Sequence, residues 1–457
     1  MEKDTIAAIA TGLSNAGIGI IRISGDSAIE VADRIYRSKN GKKASETGDH
    51  RLCLGSVFCD EGDLDEVLLS VMRAPHSYTG EDTVEINCHG GLFVCKKILK
   101  LVTDAGARLA EPGEFTKRAF LNGKMDLSRA GAVMDLIRAE NDFALKNSMQ
   151  QLKGSVFEKI TSLREKILHE LAFIEAALDD PENYDLFGYP EKLDLTVSEI
   201  KAEIEAILAS SKNGFIRKEG IRTAILGKPN AGKSSILNLL SGRDSAIVSE
   251  IAGTTRDTIE ESVRLGDFVL NLIDTAGIRN SDDPIERIGV DRARRLGENA
   301  DLILFVCDSA SPLDQNDKDI ISLLQDRRVI ILYNKTDLAP LTSEERLKEM
   351  IDAPLVCFSA TEKRGPEDLQ RALCDMFSDG NTGLNEELVI TDLRQQKELE
   401  EAAESLRLVK EAIADQQTED IFAVDLTDAY RHLGYIIGEE LGDDVVDRVF
   451  SEFCMGK

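Results

Sequence analysis

The sequence predicts a multidomain chain: an α+β domain at the N-terminus, an all-α helical domain, and an α/β domain inserted into the helical one. Three observations carry this. Residues 1 to about 120 mix short β-like runs with Gly-rich turns. Apolar residues recur at helical spacing from about Asn141 and again after about residue 385. Between them, residues 216–380 alternate short apolar runs with helical stretches, the pattern of a doubly wound parallel sheet. Two helical stretches around an α/β segment imply a chain that leaves a bundle and returns to it.

Length and composition bound the possibilities. A chain of 457 residues holds two to four domains, each able to bury a core. Its 42% hydrophobic and 30% charged content is ordinary for a globular protein. No apolar run approaches the ~18 residues that a membrane span needs. Met1-Glu2-Lys3-Asp4 lacks the basic flank and apolar core of a signal peptide. Eight scattered cysteines, with no Cys-x-x-Cys pair and no zinc-ligand spacing, point to reduced thiols in a cytoplasmic protein. The formal net charge of −28 is the sharpest constraint. Gripping nucleic acid over a broad face needs a basic stripe, and no Lys/Arg run supplies one. If RNA is bound, a second protein must bring much of the positive surface.

In the first segment, Gly17 to Ile23 reads as a strand ending in the turn Ser24-Gly25-Asp26. Asp82 to Cys88 alternates, with Val84, Ile86 and Cys88 on one side and Glu85 and Asn87 on the other. A helix is expected from Leu92 to Ala105. Farther on, Leu145, Met149, Leu152, Val156, Ile160, Leu163, Ile167, Leu171, Ile174 and Leu178 form one stripe of a long amphipathic helix ended by Asp180-Pro181. Val197, Ile200, Ile204 and Ile207 mark a second helix, stopped by Asn213-Gly214. A partner-binding coiled coil and a bundle core both fit this spacing, and the few heptads favour the bundle.

Buried strands are expected at Thr223–Leu226, Val269–Ile273, Leu302–Val306, Val329–Tyr333 and Leu355–Phe358. After residue 385 the helical period resumes through Leu399, Leu406, Val409 and Ile413, then Val424, Leu433 and Ile436. The boundaries read as residues 1–120, 121–215, 216–380 and 381–457, with the second and fourth forming one helical domain.

The chemistry concentrates in the α/β segment. Gly227-Lys228-Pro229-Asn230-Ala231-Gly232-Lys233-Ser234 follows a strand and opens a helix, the context a phosphate-binding loop requires. Asn230, Ala231, Gly232, Lys233, Ser234 and Ser235 would wrap the phosphates with backbone N–H groups at a helix N-terminus. Lys233 would reach the β- and γ-phosphates and Ser234 would bind Mg²⁺. Asp274-Thr275-Ala276-Gly277 follows a buried strand; Asp274 would hold the metal through water, and Gly277 lets the backbone approach the γ-phosphate. Asn334-Lys335-Thr336-Asp337 supplies a carboxylate, Asp337, for the guanine N1–H and N2–H groups, with Asn334 supporting it. Adenine lacks those donors, so the expected ligand is GTP. Ser359-Ala360-Thr361 sits where a backbone N–H reaches the guanine oxygen. Thr254-Thr255 lies in the interval of a switch loop whose threonine, Thr255, caps Mg²⁺.

Ras-type GTPases place a Gln directly after Asp-x-x-Gly to orient the attacking water. Here that position is Ile278, which cannot hydrogen-bond water. Glu286, in Asp283-Pro284-Ile285-Glu286-Arg287, is the attractive carboxylate nearby for the task. From sequence alone a solvated helix charge is the better explanation of it.

These motifs, with several blocks elsewhere, identify the chain as resembling the MnmE (TrmE) family of tRNA modification GTPases. The blocks are Ile18 to Gly25, Ser77 to Asp82, Glu111 to Thr116, Arg118 to Lys124, Gly253 to Asp257, and the tail Cys454-Met455-Gly456-Lys457. The similarity spans nearly the full length. It implies a folate-binding, dimerising N-terminal domain, a helical domain and an inserted α/β P-loop GTPase domain. It assigns orientation of the hydrolytic water to Glu286, beside Lys233 as catalytic residues. It further implies a K⁺ ion held by Asn230 with Ser249, Ile251 and Thr254, taking the place of an arginine finger and ordered when G domains pair. Arg22, Glu85, Lys124 and Lys457 match positions that contact formyl-tetrahydrofolate; a carboxylate suits a pterin's amide-like edge, and cations suit the glutamate tail.

The resemblance also implies a homodimer that works with the flavoprotein MnmG (GidA), which alone would carry FAD. The reaction would add a carboxymethylaminomethyl or aminomethyl group at C5 of the wobble uridine of tRNA. The one-carbon unit would come from 5-formyl- or methylene-tetrahydrofolate, with tRNA gripped mainly by the partner. Two departures from the family pattern are Gly12-Leu13-Ser14-Asn15, where a Pro-Pro-Gly-like turn is usual, and Met455, where Ile is usual. A pure RNA-binding switch of the ribosome-assembly kind is the competing class, but no basic module of the sort such proteins append is visible.

Overall fold

The computed structural model describes residues 4–184, 186–241, 259–266, 268–273, 300–325, 327–377, 388–451, 453 and 456. The chain divides into two compact units. One comprises Met1–Arg138, Ser148–Lys201 and Lys397–Lys457; the other comprises Ala139–Asn147 and Ala202–Gln396. The segments read as N-terminal and helical domains therefore share a unit, and the division falls at Lys201 and Gln396 rather than at residues 215 and 380.

The first unit opens with strands β1 (Ile6–Ile9) and β2 (Ile18–Ser24), helix α1 (Ala28–Ile35), strands β3 (Tyr36–Ser38), β4 (Leu52–Cys59), β5 (Gly62–Met72) and β6 (Thr83–His89), helix α2 (Leu92–Asp104) and strand β7 (Arg108–Leu109). The sheet order is β3-β4-β5-β6-β2-β1-β7. All pairs are antiparallel except β1 with β7. Ile21, Ile23, Val84, Ile86, Leu69 and Val71 form its buried face, covered by Val31 and Ile35 of α1 and Ile98 and Val102 of α2. The period of two then sends Arg22 and Glu85 to the opposite face, where the β2–β6 register sets them side by side.

Next come α3 (Glu114–Leu121), α4 (Leu127–Arg138), α5 (Asp142–Leu152), α6 (Ser155–Asp179) and α7 (Tyr189–Glu219). Two helix readings need correction here. The single stripe from Leu145 to Leu178 is broken at Gly154, whose φ of +103° is left-handed and whose missing side chain makes room for the Arg129 guanidinium. Val156, Ile160, Leu163, Ile167 and Ile174 are buried as expected, whereas Leu145, Met149 and Leu178 are exposed. Helix α7 also runs through Asn213-Gly214. Gly214 marks a close approach, since a Cβ there would meet Val389. The stop is Gly220 (φ +86°), where the Asn271 amide donates to the last helical carbonyl, that of Glu219, at 2.8 Å.

The second unit is built on β8 (Ile221–Leu226), α8 (Lys233–Ser241), β9 (Ile259–Leu265), β10 (Phe268–Ile273), β11 (Leu302–Asp308), α9 (Gln315–Leu323), β12 (Val329–Asn334), α10 (Glu344–Met350), β13 (Leu355–Cys357) and α11 (Pro366–Phe377). The sheet order is β13-β12-β11-β8-β10-β9, parallel except for the edge strand β9. Leu304, Val306, Ile330 and Leu332 pack on one face with Ile236, Leu237, Leu369 and Leu373. Phe305 and Ile331 pack on the other with Ile321 and Leu347. Helices thus cover both faces, and a doubly wound sheet results.

The chain closes with α12 (Leu393–Ala414), α13 (Glu419–Ile437) and α14 (Asp443–Ser451). Leu399, Leu406 and Val409 are buried. Val424 is not: it is 62% exposed, and Phe422, Leu426, Ala429, Leu433 and Ile436 carry the buried stripe of α13. Within the first unit α13 packs along α6, with the Arg164 guanidinium 4.0 Å from the centre of the Tyr430 ring. No helix among the described residues is long and apolar enough to cross a membrane.

Candidate functional site

The phosphate loop leaves the buried end of β8. Gly227 (φ +153°) passes so close to the Val306 carbonyl that a Cβ has no room. Asn230 (φ +63°) and Gly232 (φ +98°) are left-handed, which turns the loop back on itself before α8 begins at Lys233. The Lys233 ammonium donates to the carbonyls of Gly227 at 2.8 Å and Lys228 at 2.9 Å. Ser234 is half-buried and Ser235 exposed in the first turn of α8, where backbone N–H groups lack intrahelical acceptors. This is a cradle for an anion.

The Asn334–Asp337 stretch begins at the end of β12. The Asn334 amide donates to the Ala231 carbonyl at 2.9 Å, tying the end of that strand to the phosphate loop. The Asn334 Oδ1 is buried and has no hydrogen-bond partner among the described residues. Lys335 (φ +62°) donates to the Asn230 carbonyl at 3.1 Å and to Asp308 Oδ2 at 2.7 Å. Exposed Asp337 accepts from the Ser359 hydroxyl at 2.7 Å, and the Ser359 oxygen accepts from the Glu362 N–H at 3.1 Å. Thr336 donates from its backbone and hydroxyl to the Phe358 carbonyl. Half-buried Ala360 and exposed Thr361 follow. One connected set therefore holds residues 230–235, 334–337 and 359–361. Ser249, Ile251, Thr254, Thr255, Asp274, Thr275, Ala276, Gly277, Ile278 and Glu286 lie outside the described residues.

A second cluster forms on the open face of the N-terminal sheet. Arg22 Nε donates to Glu85 Oε1 at 2.8 Å, and its Nη1 donates to the Gly456 carbonyl at 3.3 Å, 434 positions away in sequence. Its guanidinium stands 5.5 Å from the Tyr78 ring centre and 5.7 Å from that of Phe115. Gly456 (φ +86°) rests against the backbone of Ile9 and Ala10. Lys124 is exposed, donates to the Pro75 carbonyl at 2.9 Å, and lies beside Gly80. Lys457, Cys454 and Met455 lie outside the described residues.

Beneath the cluster runs an ion network that no spacing in the sequence revealed. Buried Arg118 donates to Asp4 Oδ1 at 2.6 Å, Glu114 Oε1 at 3.0 Å and both Glu81 oxygens at 3.3 Å. Arg108 adds two bonds to Glu114, and Ser24 donates to Glu81 at 2.8 Å. Burial pulls the Asp4 and Glu114 carboxyls upward, but Arg108 and Arg118 outweigh it and hold both below the usual carboxylate range. The network is satisfied throughout and braces α3 against β1 and the Ser77–Glu81 turn. The usable sequence signal is Glu111-Pro112-Gly113-Glu114, a helix start whose Glu114 reaches back to the Glu111 N–H at 2.8 Å.

Comparison with known proteins shows a two-part match. Residues 127–454 match the family described as MnmE helical domain, and residues 5–124 match GTP-binding protein TrmE N-terminus. A protein of Lachnoclostridium phytofermentans named tRNA modification GTPase MnmE is 51% identical over 459 residues, covering 100% of both chains. Proteins of the same name from Clostridioides difficile and Carboxydothermus hydrogenoformans are each 43% identical, the first covering 99% of both chains and the second 100%.

Proposed function

The chain belongs to the MnmE family of tRNA modification GTPases, and from that premise we propose how its two sites divide the work. The protein is a GTP hydrolase acting in tRNA modification. We propose that it is a cytoplasmic homodimer that works with the flavoprotein MnmG (GidA), the carrier of FAD, to add a carboxymethylaminomethyl or aminomethyl group at C5 of wobble uridine. The net charge of −28 supports a division in which the partner grips most of the tRNA.

The observation that carries the folate part is the meeting of Arg22, Glu85 and the Gly456 carbonyl, with the Tyr78 and Phe115 rings near the Arg22 guanidinium. A flat heterocycle with an amide-like edge fits such a donor set: Glu85 accepts from that edge, and Arg22 and Lys124, with Lys457, offset the charge of a glutamate tail. When bound, the tetrahydrofolate supplies the one-carbon unit. The test is titration of the full chain with 5-formyl-tetrahydrofolate. Binding is expected, with Glu85→Ala weakening it about tenfold or more while GTP turnover is kept. Absence of binding at high micromolar folate would sink this part of the reading.

In the GTP site, Lys233 would contact the β- and γ-phosphates, Ser234 and Thr255 would hold Mg²⁺, and Glu286 would orient the water. Asn230, with Ser249, Ile251 and Thr254, would hold K⁺, which adds positive charge beside the phosphates once two G domains pair. Hydrolysis is expected to fall by about a hundredfold when KCl is replaced by NaCl. Equal rates in the two salts would remove Asn230 from the mechanism.

A further inference from the structure

Lys228 is the second residue of the phosphate loop, and its ammonium is directed into the protein. The side chain is 11% exposed. Its Nζ donates to Asp317 Oδ2 at 2.9 Å and to the Pro312 carbonyl at 3.1 Å, with Asp314 Oδ2 at 3.7 Å. Asp317 is completely buried in the first turn of α9. Its Oδ2 also accepts from the Asp314 N–H, while Asp314 Oδ1 accepts from the Asp317 N–H, both at 3.1 Å, a reciprocal capping box. The other Asp317 oxygen, Oδ1, is buried and has no hydrogen-bond partner among the described residues. A buried carboxylate of this kind is stable only beside a cation, and Lys228 meets that need. Burial lowers the Lys228 pKa, but the hydrogen bond and charge of Asp317 outweigh it and raise the net value.

The same residue is committed at its other end. Its backbone carbonyl accepts from the Lys233 ammonium at 2.9 Å, next to the Gly227 carbonyl at 2.8 Å. We propose that Lys228 is a positioning residue for the GTPase reaction: its buried ion pair with Asp317 fixes the carbonyl that aims Lys233, so the start of α9 braces the phosphate loop. The lysine acts through Lys233 and its charge is already matched by Asp317. Its loss is therefore expected to act by loosening the carbonyl that orients Lys233.

The test uses the full chain, fluorescent GDP and GTP titrations, and steady-state hydrolysis. Lys228→Met is expected to weaken both GDP and GTP about tenfold or more and to lower kcat as well, since its effect runs through Lys233. Asp317→Asn keeps an acceptor for the cap and removes the charge, so it reads the ion pair even where Lys228→Met fails to fold. It is expected to give a similar loss, and the double variant no more than the worse single one. Lys228→Arg is expected to recover affinity to within about threefold, because a guanidinium can bridge Asp314 and Asp317. Affinities within about twofold of the parent in Asp317→Asn would overturn the proposal. So would multiplying losses in the double variant, or a loss for GTP without one for GDP, which would mean direct contact with the γ-phosphate.

Discussion

Replacing Asp337 with asparagine is expected to weaken GTP by about a hundredfold or more and to make xanthosine triphosphate the better ligand. Guanine presents two donors, N1–H and the exocyclic amine, to this position. A carboxylate accepts from both, whereas an amide puts its own donor opposite one of them and leaves buried polar groups unpaired. Xanthine carries a carbonyl in place of the amine, so the amide meets an acceptor. The side chain is already oriented before any base arrives: Ser359 donates to Asp337 Oδ1 at 2.7 Å, and Ser359 is itself held by the Glu362 N–H. Asparagine can keep the Ser359 bond, so the fold should be untouched. Competition titration with the two nucleotides decides the matter. Retention of GTP affinity within about tenfold, with no gain for xanthosine triphosphate, would reassign the base site.

Much of the α/β unit was legible because its signals are local. A parallel strand buried on both faces reads as an unbroken apolar run; the expected runs Thr223–Leu226, Val269–Ile273, Leu302–Val306 and Val329–Tyr333 fall within β8, β10, β11 and β12, and Leu355–Phe358 overruns β13 by one residue. Strand β9 was not legible. It is an edge strand, antiparallel to β10, and Glu261, Ser262 and Arg264 give it too polar a pattern to stand out. In the helical parts the period was right and its phase or extent was wrong. Gly154 breaks a helix because a distant side chain, Arg129, occupies the space beside it, and Gly214 fails to break one because Val389 packs against it. Neither partner is within 20 positions in sequence, so composition could not foretell which glycine stops a helix.

The candidate sites divide the same way. Lys233, Asn334 and Asp337 stood out as candidates because the motifs of a phosphate loop and a guanine loop are contiguous and their chemistry dictates residue type. Arg22 and Glu85 were identifiable only through resemblance, since each alone is an ordinary strand residue; what pairs them is the β2–β6 register. Lys228 and Arg118 carried no such signal. Each is a cation held by a carboxylate brought in by topology: buried Asp317, 89 positions on, and half-buried Asp4, 114 positions back. Charge that is matched over such a distance leaves no periodicity to read.

Lys233→Met is expected to lower GTP hydrolysis by about a thousandfold, a loss that saturating nucleotide does not restore. Phosphoryl transfer gives the protein little covalent work, so the rate rests on positive groups placed where charge develops on the γ-phosphate oxygens. In this fold Lys233 begins α8, and its ammonium is held over the loop by the carbonyls of Gly227 and Lys228. Those carbonyls belong to residues fixed independently, Gly227 against Val306 and Lys228 against Asp317. An ammonium held in this way has lost its freedom before GTP binds, and less reorganisation remains for the transition state. Methionine keeps the length of the chain and removes the charge. The fold should survive, because the loop's other anchors, Asn334 to Ala231 and Lys335 to Asn230, do not involve residue 233. Single-turnover hydrolysis, with the protein in excess over GTP and well above the dissociation constant, is the deciding measurement. A rate within tenfold of the parent would mean that positive charge from elsewhere, such as K⁺ at Asn230, carries the reaction.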